Sequence, residues 1–434
     1  MPNGGLEILY VSGSLGLGHV QRDLGVARAL REQCPEVDIR WIAGSPAREA
    51  LLAAGERLAP EAHDYRCETD LAEATARAGR LNLTSYTYRA LAAWFHNARL
   101  IGRAARRGRY AAVVGDETYE ILVANFFGYR VLPQIPFVMM YDFLGMESTT
   151  DGVAEKLGAW ALNLIWSQEW RVTRRGRNAA LFFGELEDVP ESRFGRLLPQ
   201  RRRYAQEHIE FVGYVLPFVQ ETVPDREVSR RQLGYGDEPV VVCSVGGTAL
   251  GRELLELCGL AFPLAAESAP DLRMIVVAGP RIDPSSLDLP AGVERRGMVD
   301  SLWRHFAAAD LAVVQGGGTT TLELELLRTP FLYFPVEGHA EQEVTVAGRL
   351  ARHGAGVRMR ASSTTPASLA DAIVGHLGER VSYPPVVADG ARRAAARVLE
   401  RVGAATRPAE GASDPAPRAA GARRTTAGAT PRLD

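Results

Sequence analysis

Two segments of the sequence combine glycine-rich turns with side chains that can hold an anion or move a proton. The first follows the apolar run at 6–11 and carries Gly13, Gly16 and Gly18 directly before His19. Glycine permits positive φ and close backbone approach, and the free amides at the start of the following helix can bind phosphate. His19 would lie in the first turn of that helix, where its imidazole could be a general base or purely structural.

A nicotinamide cofactor is weakly supported by this first turn. A GxGxxG fingerprint that starts at Gly16 puts Gln21 where the third glycine belongs. The second strand pattern ends in WIAGSP at 41–46, without an acidic residue to hold a ribose diol. The segment therefore indicates phosphate binding without the other features of a dinucleotide site.

The second and denser segment is QGGGTTTLELELLRTPFLYFPVEGHAEQ at 315–342. Its glycines can expose backbone amides and its threonines supply hydroxyls at a helix N-terminus, namely Gly316, Gly317, Gly318, Thr319, Thr320 and Thr321. With Glu323 one turn further on, the pattern suits a diphosphate with a ribose beside it. In the alternative, Glu323 only compensates the helix dipole and the threonines only cap the helix.

A shorter glycine turn, SVGGTALG at 244–251, opens the second half of the chain. Gly246, Gly247 and Thr248 lie there between an apolar strand pattern and a helical pattern. By itself this turn could cap a helix or contact phosphate.

The elements that must position these segments alternate between short apolar strands and helical patterns. Such alternation predicts an α/β fold with parallel sheets covered on both faces, and we expect two doubly wound Rossmann-like domains facing each other across a cleft. The last residues hold too few large apolar side chains to offset the entropy of ordering them. The expected organisation is an N-terminal domain at 1–218, a linker at 219–238, a C-terminal domain at 239–380, a C-terminal helix at 381–402 and a disordered tail at 403–434.

Composition limits the classes of protein that fit. The 434 residues carry 50 basic and 52 acidic side chains, a net charge of −2, which disfavours nucleic acid as a partner. No run approaches 18 apolar residues, and the N-terminus lacks the pattern of a secretory signal. The four cysteines lie far apart without a CxxC pair, which argues against a structural zinc site or a disulfide framework. We expect a cytoplasmic protein.

The motifs resemble those of the GT-B glycosyltransferases, particularly family 28, which includes the bacterial peptidoglycan N-acetylglucosaminyltransferase and the diacylglycerol sugar transferases. The likeness is strongest over about 239–359. The slots of the family's C-terminal motif are filled in order by Gly317, Gly318, Thr320, Glu323, Pro330, Pro335 and the cluster Glu341, Gln342 and Glu343. In the N-terminal half, GSLGLGHVQRDLGVARAL is similar to the family's GxGGHxxxxxxLAxxL segment, with His19 as the histidine.

The resemblance implies that the N-terminal domain binds the acceptor and the C-terminal domain binds the nucleotide sugar. Glu323 would bind the donor ribose, and residues 317–320 would hold the diphosphate. The other implied donor contacts are Gly246, Gly247 and Thr248, the backbone of Met298 and Val299 at the base, and Gln342 with Glu341 or Glu343 at the sugar hydroxyls. Gln315 stands where natural-product glycosyltransferases carry a phosphate-binding histidine, so amides and hydroxyls would supply the phosphate contacts.

The same resemblance implies an inverting, metal-independent transfer with a UDP-sugar as co-substrate and no further cofactor. His19 would be the general base, and the glycine-rich amides with the helix dipole would stabilise the leaving diphosphate. Asp116, at the end of a strand pattern, could orient His19, with Glu117 and Asp142 as alternatives. Asp116 could equally be a solvated residue at a strand end.

The acceptor is expected to be a lipid or another small hydrophobic molecule, because aromatic residues gather between about 60 and 215. Within that region, 155–177 combines Trp160, Leu164, Trp166 and Trp170 with a basic end. This segment could lie on the inner face of a membrane or line an acceptor groove, and packing in the core is the alternative.

Two other functions remain open at this stage. A UDP-sugar 2-epimerase-like enzyme would share the fold but would need further carboxylates around the sugar and no acceptor. A non-catalytic nucleotide-sugar-binding protein would not need His19. Turnover by the wild type that is lost in His19→Ala would exclude this second alternative.

Overall fold

The computed structural model describes residues 6–13, 17–77, 80–81, 83–148, 151–174, 177–218 and 222–406. Gly16 of the first glycine turn and residues 407–434 of the predicted tail lie outside these ranges. The described residues form two parallel β-sheets, each with apolar cores on both of its faces. This arrangement confirms the predicted α/β fold.

The N-terminal half of the chain contains the larger of the two parallel sheets and a separate pair of short strands. Its strands are β1 (Leu6–Val11), β2 (Val37–Ile42), β3 (Arg57–Leu58), β4 (Ala76–Arg77), β5 (Arg80–Leu81), β6 (Ala112–Asp116), β7 (Phe137–Tyr141), β8 (Ala179–Phe182) and β9 (Glu210–Phe211). Its helices are α1 (Gly18–Gln33), α2 (Ala47–Ala53), α3 (Glu68–Thr75), α4 (Leu83–Arg107), α5 (Tyr119–Phe126), α6 (Val153–Trp166), α7 (Trp170–Thr173) and α8 (Arg201–His208). Seven strands pair in the order β3-β2-β1-β6-β7-β8-β9, while β4 and β5 form a separate antiparallel pair.

The C-terminal half repeats the arrangement with six strands. They are β10 (Val240–Ser244), β11 (Arg273–Val277), β12 (Glu294–Arg296), β13 (Leu311–Gln315), β14 (Phe331–Phe334) and β15 (Val357–Arg358). The helices are α9 (Arg226–Leu233), α10 (Arg252–Ser268), α11 (Leu302–Ala308), α12 (Gly318–Leu327), α13 (Ala347–His353) and α14 (Pro366–His376), with a π-helical turn at Glu341–Val346 before α13. The strand order is β12-β11-β10-β13-β14-β15.

Both sheets reverse their strand order at the centre, between β1 and β6 and between β10 and β13. These central strands are almost wholly buried apolar runs, as expected for parallel strands that are covered on both faces. Ligands of doubly wound sheets bind outside the carboxyl ends of the strands at such a reversal. The glycine turns that follow β1, β10 and β13 therefore lie where a ligand is expected.

The last helix, α15 (Gly390–Thr406), packs back on the N-terminal domain. Ala394, Ala395 and Val398 are buried there in the core that α1 covers. The predicted bounds of 381–402 are wrong, because residues 381–389 have no regular structure and the helix continues through 403–406. Two consecutive prolines at 384–385 prevent an earlier start, and the alanines at 404–405 favour continuation.

Candidate active site

The N-terminal strand reversal places His19 against a buried carboxylate. His19 occupies the first turn of α1, and Asp116 ends β6, the strand next to β1. His19 Nδ1 lies 2.8 Å from Asp116 Oδ2. Arg22 Nη2 also lies 2.9 Å from this nitrogen. In the tautomer whose Nδ1 donates its proton to Asp116, Nε2 of a neutral imidazole keeps its lone pair on the side of Glu117, whose Oε2 is 3.7 Å away. The two residues that sequence reasoning paired are thus together.

Arg22 completes this cluster, and sequence reasoning did not identify it. It follows His19 by three residues on α1 and therefore shares its helix face. The guanidinium donates to Asp116 Oδ1 at 2.6 Å and also to Asp142, directly after β7. The spacing from His19 is its sequence signal, and that spacing is too common on helices to single out one arginine.

The charges of the cluster set the protonation of each member. Burial lowers the pKa of His19, but the charge and hydrogen bond of Asp116 raise it more, so that it is about 9. Burial would raise the pKa of Asp142, yet the charges of Arg22 and His19 bring it well below its usual value. Burial and the charge of Asp142 raise the pKa of Glu117 well above its usual value. At neutral pH the imidazole of His19 is therefore protonated in this cluster.

Glu117 has a strained backbone at the edge of this cluster. Its φ is +51°, which costs a residue other than glycine about 1–2 kcal/mol. Its carboxyl is largely buried beside that of Asp142, to which it can donate a hydrogen bond when protonated. Strained residues persist where the surrounding structure holds them, often at functional sites. Glu117, an alternative to Asp116 in the sequence, is therefore placed to meet a ligand.

A metal ion is the other group that this cluster could attract. Ligand atoms of His19, Glu117 and Asp142 lie within 4.8 Å of one another. The Arg22 guanidinium, however, is already paired with Asp142 and brings a positive charge into the same space. The donor set therefore fits a divalent cation poorly.

The glycine-rich turns of the two domains meet across the cleft. A Cβ on Gly247 would lie 2.6 Å from the backbone nitrogen of Leu17, so this close approach requires glycine. A cavity of about 770 Å³ lies between the turns. The predicted residues that line it are Gly18, His19, Gly246, Gly247, Thr248, Gly317, Gly318, Thr319, Thr320, Glu341 and Gln342, together with the alternative Asp142.

The remaining predicted donor residues surround this cavity without lining it. Gly316 approaches Pro335, Met298 is exposed, Val299 packs on the apolar core, and Glu343 accepts a hydrogen bond from the Gly338 amide at 3.0 Å. Glu323 is buried in α12, and burial raises its pKa to about 8. The roles of these residues in binding a donor stay predictions.

The loop between β14 and α13 borders the cavity from the donor side. Gln342 Oε1 accepts a hydrogen bond from the Val336 amide at 2.9 Å, and burial raises the pKa of Glu341 to about 7. His339, which sequence reasoning passed over, lies 3.8 Å from Glu341. Burial and the charge of His19 lower the pKa of His339 to about 4, so its imidazole is neutral. His339 reaches the site through the conformation of this loop, which no sequence motif predicts.

A second cavity, of about 880 Å³, opens beside Glu117 within the N-terminal domain. Trp166 on α6 lines it, together with Leu162 and Ile165 of the same helix. Trp166 is also buried in the apolar core, and Trp160 and Leu164 pack against that core, so packing in the core describes these three residues. Of the four residues named from the sequence in this segment, Trp166 alone also lines the cavity. No helix in the described part of the chain combines the length and apolarity needed to cross a membrane, and contact of this segment with a membrane surface stays a prediction.

The two facing sheets, with the cleft between their strand reversals, define the GT-B glycosyltransferase fold, as predicted. The spinosyn rhamnosyltransferase in complex with thymidine diphosphate superimposes with a TM-score of 0.54 and 17% identity, covering 92% of this chain and 96% of that enzyme. At this level of identity the likeness establishes the fold.

Curated relatives carry the same class name. An uncharacterized glycosyltransferase of Methanopyrus kandleri is 28% identical over 166 residues, 38% of this chain and 46% of that protein, so the chain spans less than half of that relative's length. The UDP-N-acetylglucosamine--N-acetylmuramyl-(pentapeptide) pyrophosphoryl-undecaprenol N-acetylglucosamine transferase of Symbiobacterium thermophilum is 25% identical over 405 residues, 91% of this chain and 92% of that enzyme. No family model matches the chain. The relatives confirm the resemblance that the motifs indicated.

Proposed function

We propose that this protein is an inverting glycosyltransferase that moves a sugar from a nucleoside diphosphate sugar to a hydroxyl of an apolar acceptor. The observation that carries the proposal is one cavity lined by the glycine turns and the start of α12 on one side and by His19 on the other. The relatives support this class through their names. A UDP-sugar is the favoured donor because the Symbiobacterium relative is named for one.

In the proposed mechanism His19 removes the proton of the acceptor hydroxyl. Asp116 holds Nδ1 of His19, so that Nε2 faces Glu117, which lines the second cavity, from which the acceptor would come. Asp116 acts through His19 and is a positioning residue. The deprotonated oxygen then attacks the anomeric carbon from the face opposite to the diphosphate, which inverts the configuration at that carbon.

The leaving diphosphate would be stabilised by the C-terminal domain. The N-terminus of α12 points its unpaired amides at the cavity, and Thr319 and Thr320 add hydroxyls there. Arg349 donates to Thr321 Oγ1 at 2.6 Å and thereby anchors this helix start. Pre-oriented amides of this kind can stabilise developing negative charge, and we propose that the reaction requires no metal. Retained turnover in excess EDTA would support that statement.

A thermal-shift screen against UDP, TDP, GDP and their sugar conjugates tests the donor site. One nucleotide should raise the Tm, because a ligand that binds only the native state stabilises it. The rise should shrink in Thr320→Val, which keeps the shape of the side chain but removes the hydroxyl. Thr364→Val, at an exposed site in the same domain, is the matched control. Absence of both a shift and release of nucleoside diphosphate would contradict the proposed function.

A further inference from the structure

The second cavity has the walls of a site for a compact ring-containing molecule. Most of the side chains that line it are apolar or aromatic, as in small-molecule pockets. The aromatic wall consists of Tyr86, Trp94, Tyr119, Phe143 and Trp166. Tyr119 and Phe143 present their rings edge-on to Trp166, at centroid distances of 4.7 and 5.5 Å. A flat or alicyclic ring could pack against this wall.

Two polar atoms among the lining residues are buried without a hydrogen-bond partner in the described part of the chain. They are the Tyr119 hydroxyl and Trp166 Nε1. Buried polar groups are nearly always paired in native proteins, so two unpaired groups in the residues around one cavity indicate a ligand with hydrogen-bonding atoms. The indole can only donate, and the phenol can donate or accept. An alcohol with a second oxygen on its ring would satisfy such a set.

The ionisable lining of this cavity consists of carboxyl groups and one imidazole. Glu68, Glu117 and Glu341 contribute the carboxyls, whose pKa values burial raises, and no arginine or lysine is among the described lining residues. His339, the one basic side chain there, is kept neutral by burial because its pKa is about 4. A phosphate or carboxylate buried in this space would have no cation in the lining to pair with. An anionic acceptor headgroup is therefore disfavoured.

Resting on the proposed function, we propose that the acceptor is a compact, ring-containing alcohol without an anionic group, bound in this cavity with its hydroxyl toward Glu117 and His19. The acceptor class would then differ from the pyrophosphoryl-undecaprenol substrate for which the Symbiobacterium relative is named. The difference would follow from the absence of a cation among the described lining residues.

A matched pair of probes tests whether the cavity disfavours an anionic group. The measurements use the full-length protein with saturating UDP. By calorimetry, 2-naphthol should bind at least about tenfold more tightly than 6-hydroxy-2-naphthoate, which adds only a carboxylate. Tyr119→Phe should weaken 2-naphthol several-fold because it removes one unpaired hydroxyl, whereas Tyr88→Phe, at an exposed tyrosine, should not. Equal affinity for the two probes would overturn the proposal.

A charge introduced into the wall gives the reverse test. Leu162→Arg places a cation on the α6 face that lines the cavity, and it should raise the affinity for the naphthoate relative to 2-naphthol. Leu157→Arg, on the exposed face of the same helix, should leave the ratio unchanged. If both variants change the ratio equally, the cavity is not where the probes bind and the proposal fails.

Transfer assays separate this proposal from the proposed function. Sugar transfer to a pyrophosphoryl-polyprenol-linked N-acetylmuramyl peptide, with none to uncharged ring alcohols, would overturn the acceptor class while the glycosyltransferase function stands. If the protein binds 2-naphthol preferentially but binds no nucleotide, the proposed preference of the cavity for uncharged molecules stands while the proposed glycosyltransferase function fails.

Discussion

The proposed donor side and the proposed acceptor side of the cleft are built in opposite ways. The donor side is polar, and most of its lining comes from two turns, at 244–250 and 315–320, that each follow one strand. The acceptor side is apolar, and its aromatic wall comes from α4, α5, α6 and the segment after β7. Donor chemistry is thus encoded locally, whereas acceptor selectivity depends on the packing of distant helices. The acceptor class can therefore change without altering the donor turns.

His19 lies at the boundary of the two sides, and its removal should have the largest effect. We expect His19→Ala to slow turnover by about 10²- to 10⁴-fold, the usual contribution of a positioned base. Donor affinity should be nearly retained, because the glycine turns and α12 are untouched. Steady-state kinetics together with UDP calorimetry measure both quantities. Exposed His63 gives the matched control, His63→Ala, and equal turnover in the two variants would remove His19 from the chemistry.

The pH dependence of turnover tests whether His19, at the boundary of the two sides, is the base. Only neutral His19 can accept a proton, and its pKa is about 9. The value of kcat/KM should therefore rise roughly tenfold per pH unit below that pKa and level off above it, about a hundredfold from pH 7 to the plateau. Asp116→Asn removes the charge that raises this pKa, so the rise should move to lower pH and the plateau should fall. A flat profile from pH 6.5 to 9 would contradict His19 as the base.

Sequence reasoning located residues of local turns and strand ends better than residues whose positions depend on distant segments. The spacing of Gly317, Gly318 and Thr320 is a property of one strand-turn-helix unit, so sequence alone could place these residues together at the cleft. His19 and Asp116 could be paired because the carboxyl ends of neighbouring parallel strands meet at one sheet edge.

What sequence reasoning missed depends on tertiary contacts. Arg22 reaches Asp116 and Asp142 only because β6 and β7 bring two distant segments beside α1. His339 joins both cavities through the conformation of a loop. The wrong start of the last helix is a different kind of error, because the two prolines at 384–385 were visible in the sequence.

A donor-side variant should leave the acceptor side unaffected. Glu323→Ala should weaken UDP-sugar binding about tenfold, corresponding to the loss of a carboxyl group that hydrogen-bonds the ribose. Calorimetry measures the donor affinity, and kinetics at saturating donor should show an unchanged acceptor KM. Glu227→Ala, at an exposed glutamate of the same domain, controls for the loss of a glutamate side chain. Unaltered donor affinity would refute the ribose role of Glu323.

The smallest effect on donor affinity is expected for the ion pair that joins the two sides. Arg281, after β11, donates to Glu73 Oε2 on α3 at 2.6 Å, and Glu73 Oε1 accepts from the Ala249 amide at 2.9 Å, near the end of the glycine turn at 244–251. This partly exposed ion pair joins the acceptor domain to the donor turn. Arg281→Ala should therefore reduce donor affinity only about two- to fivefold, since such pairs contribute about 0.2–1 kcal/mol.

A double-mutant cycle with Glu73→Ala isolates the pair from other effects of each substitution. Exposed Arg380 gives the control variant Arg380→Ala in the same domain. Additive losses in donor affinity would mean that the two sides of the cleft bind independently. A coupling energy comparable to that of the ion pair would mean that a helix of the N-terminal domain stabilises the glycine turn at 244–251. At this one contact, the proposed donor site would then depend on a distant segment as well as on its own turn.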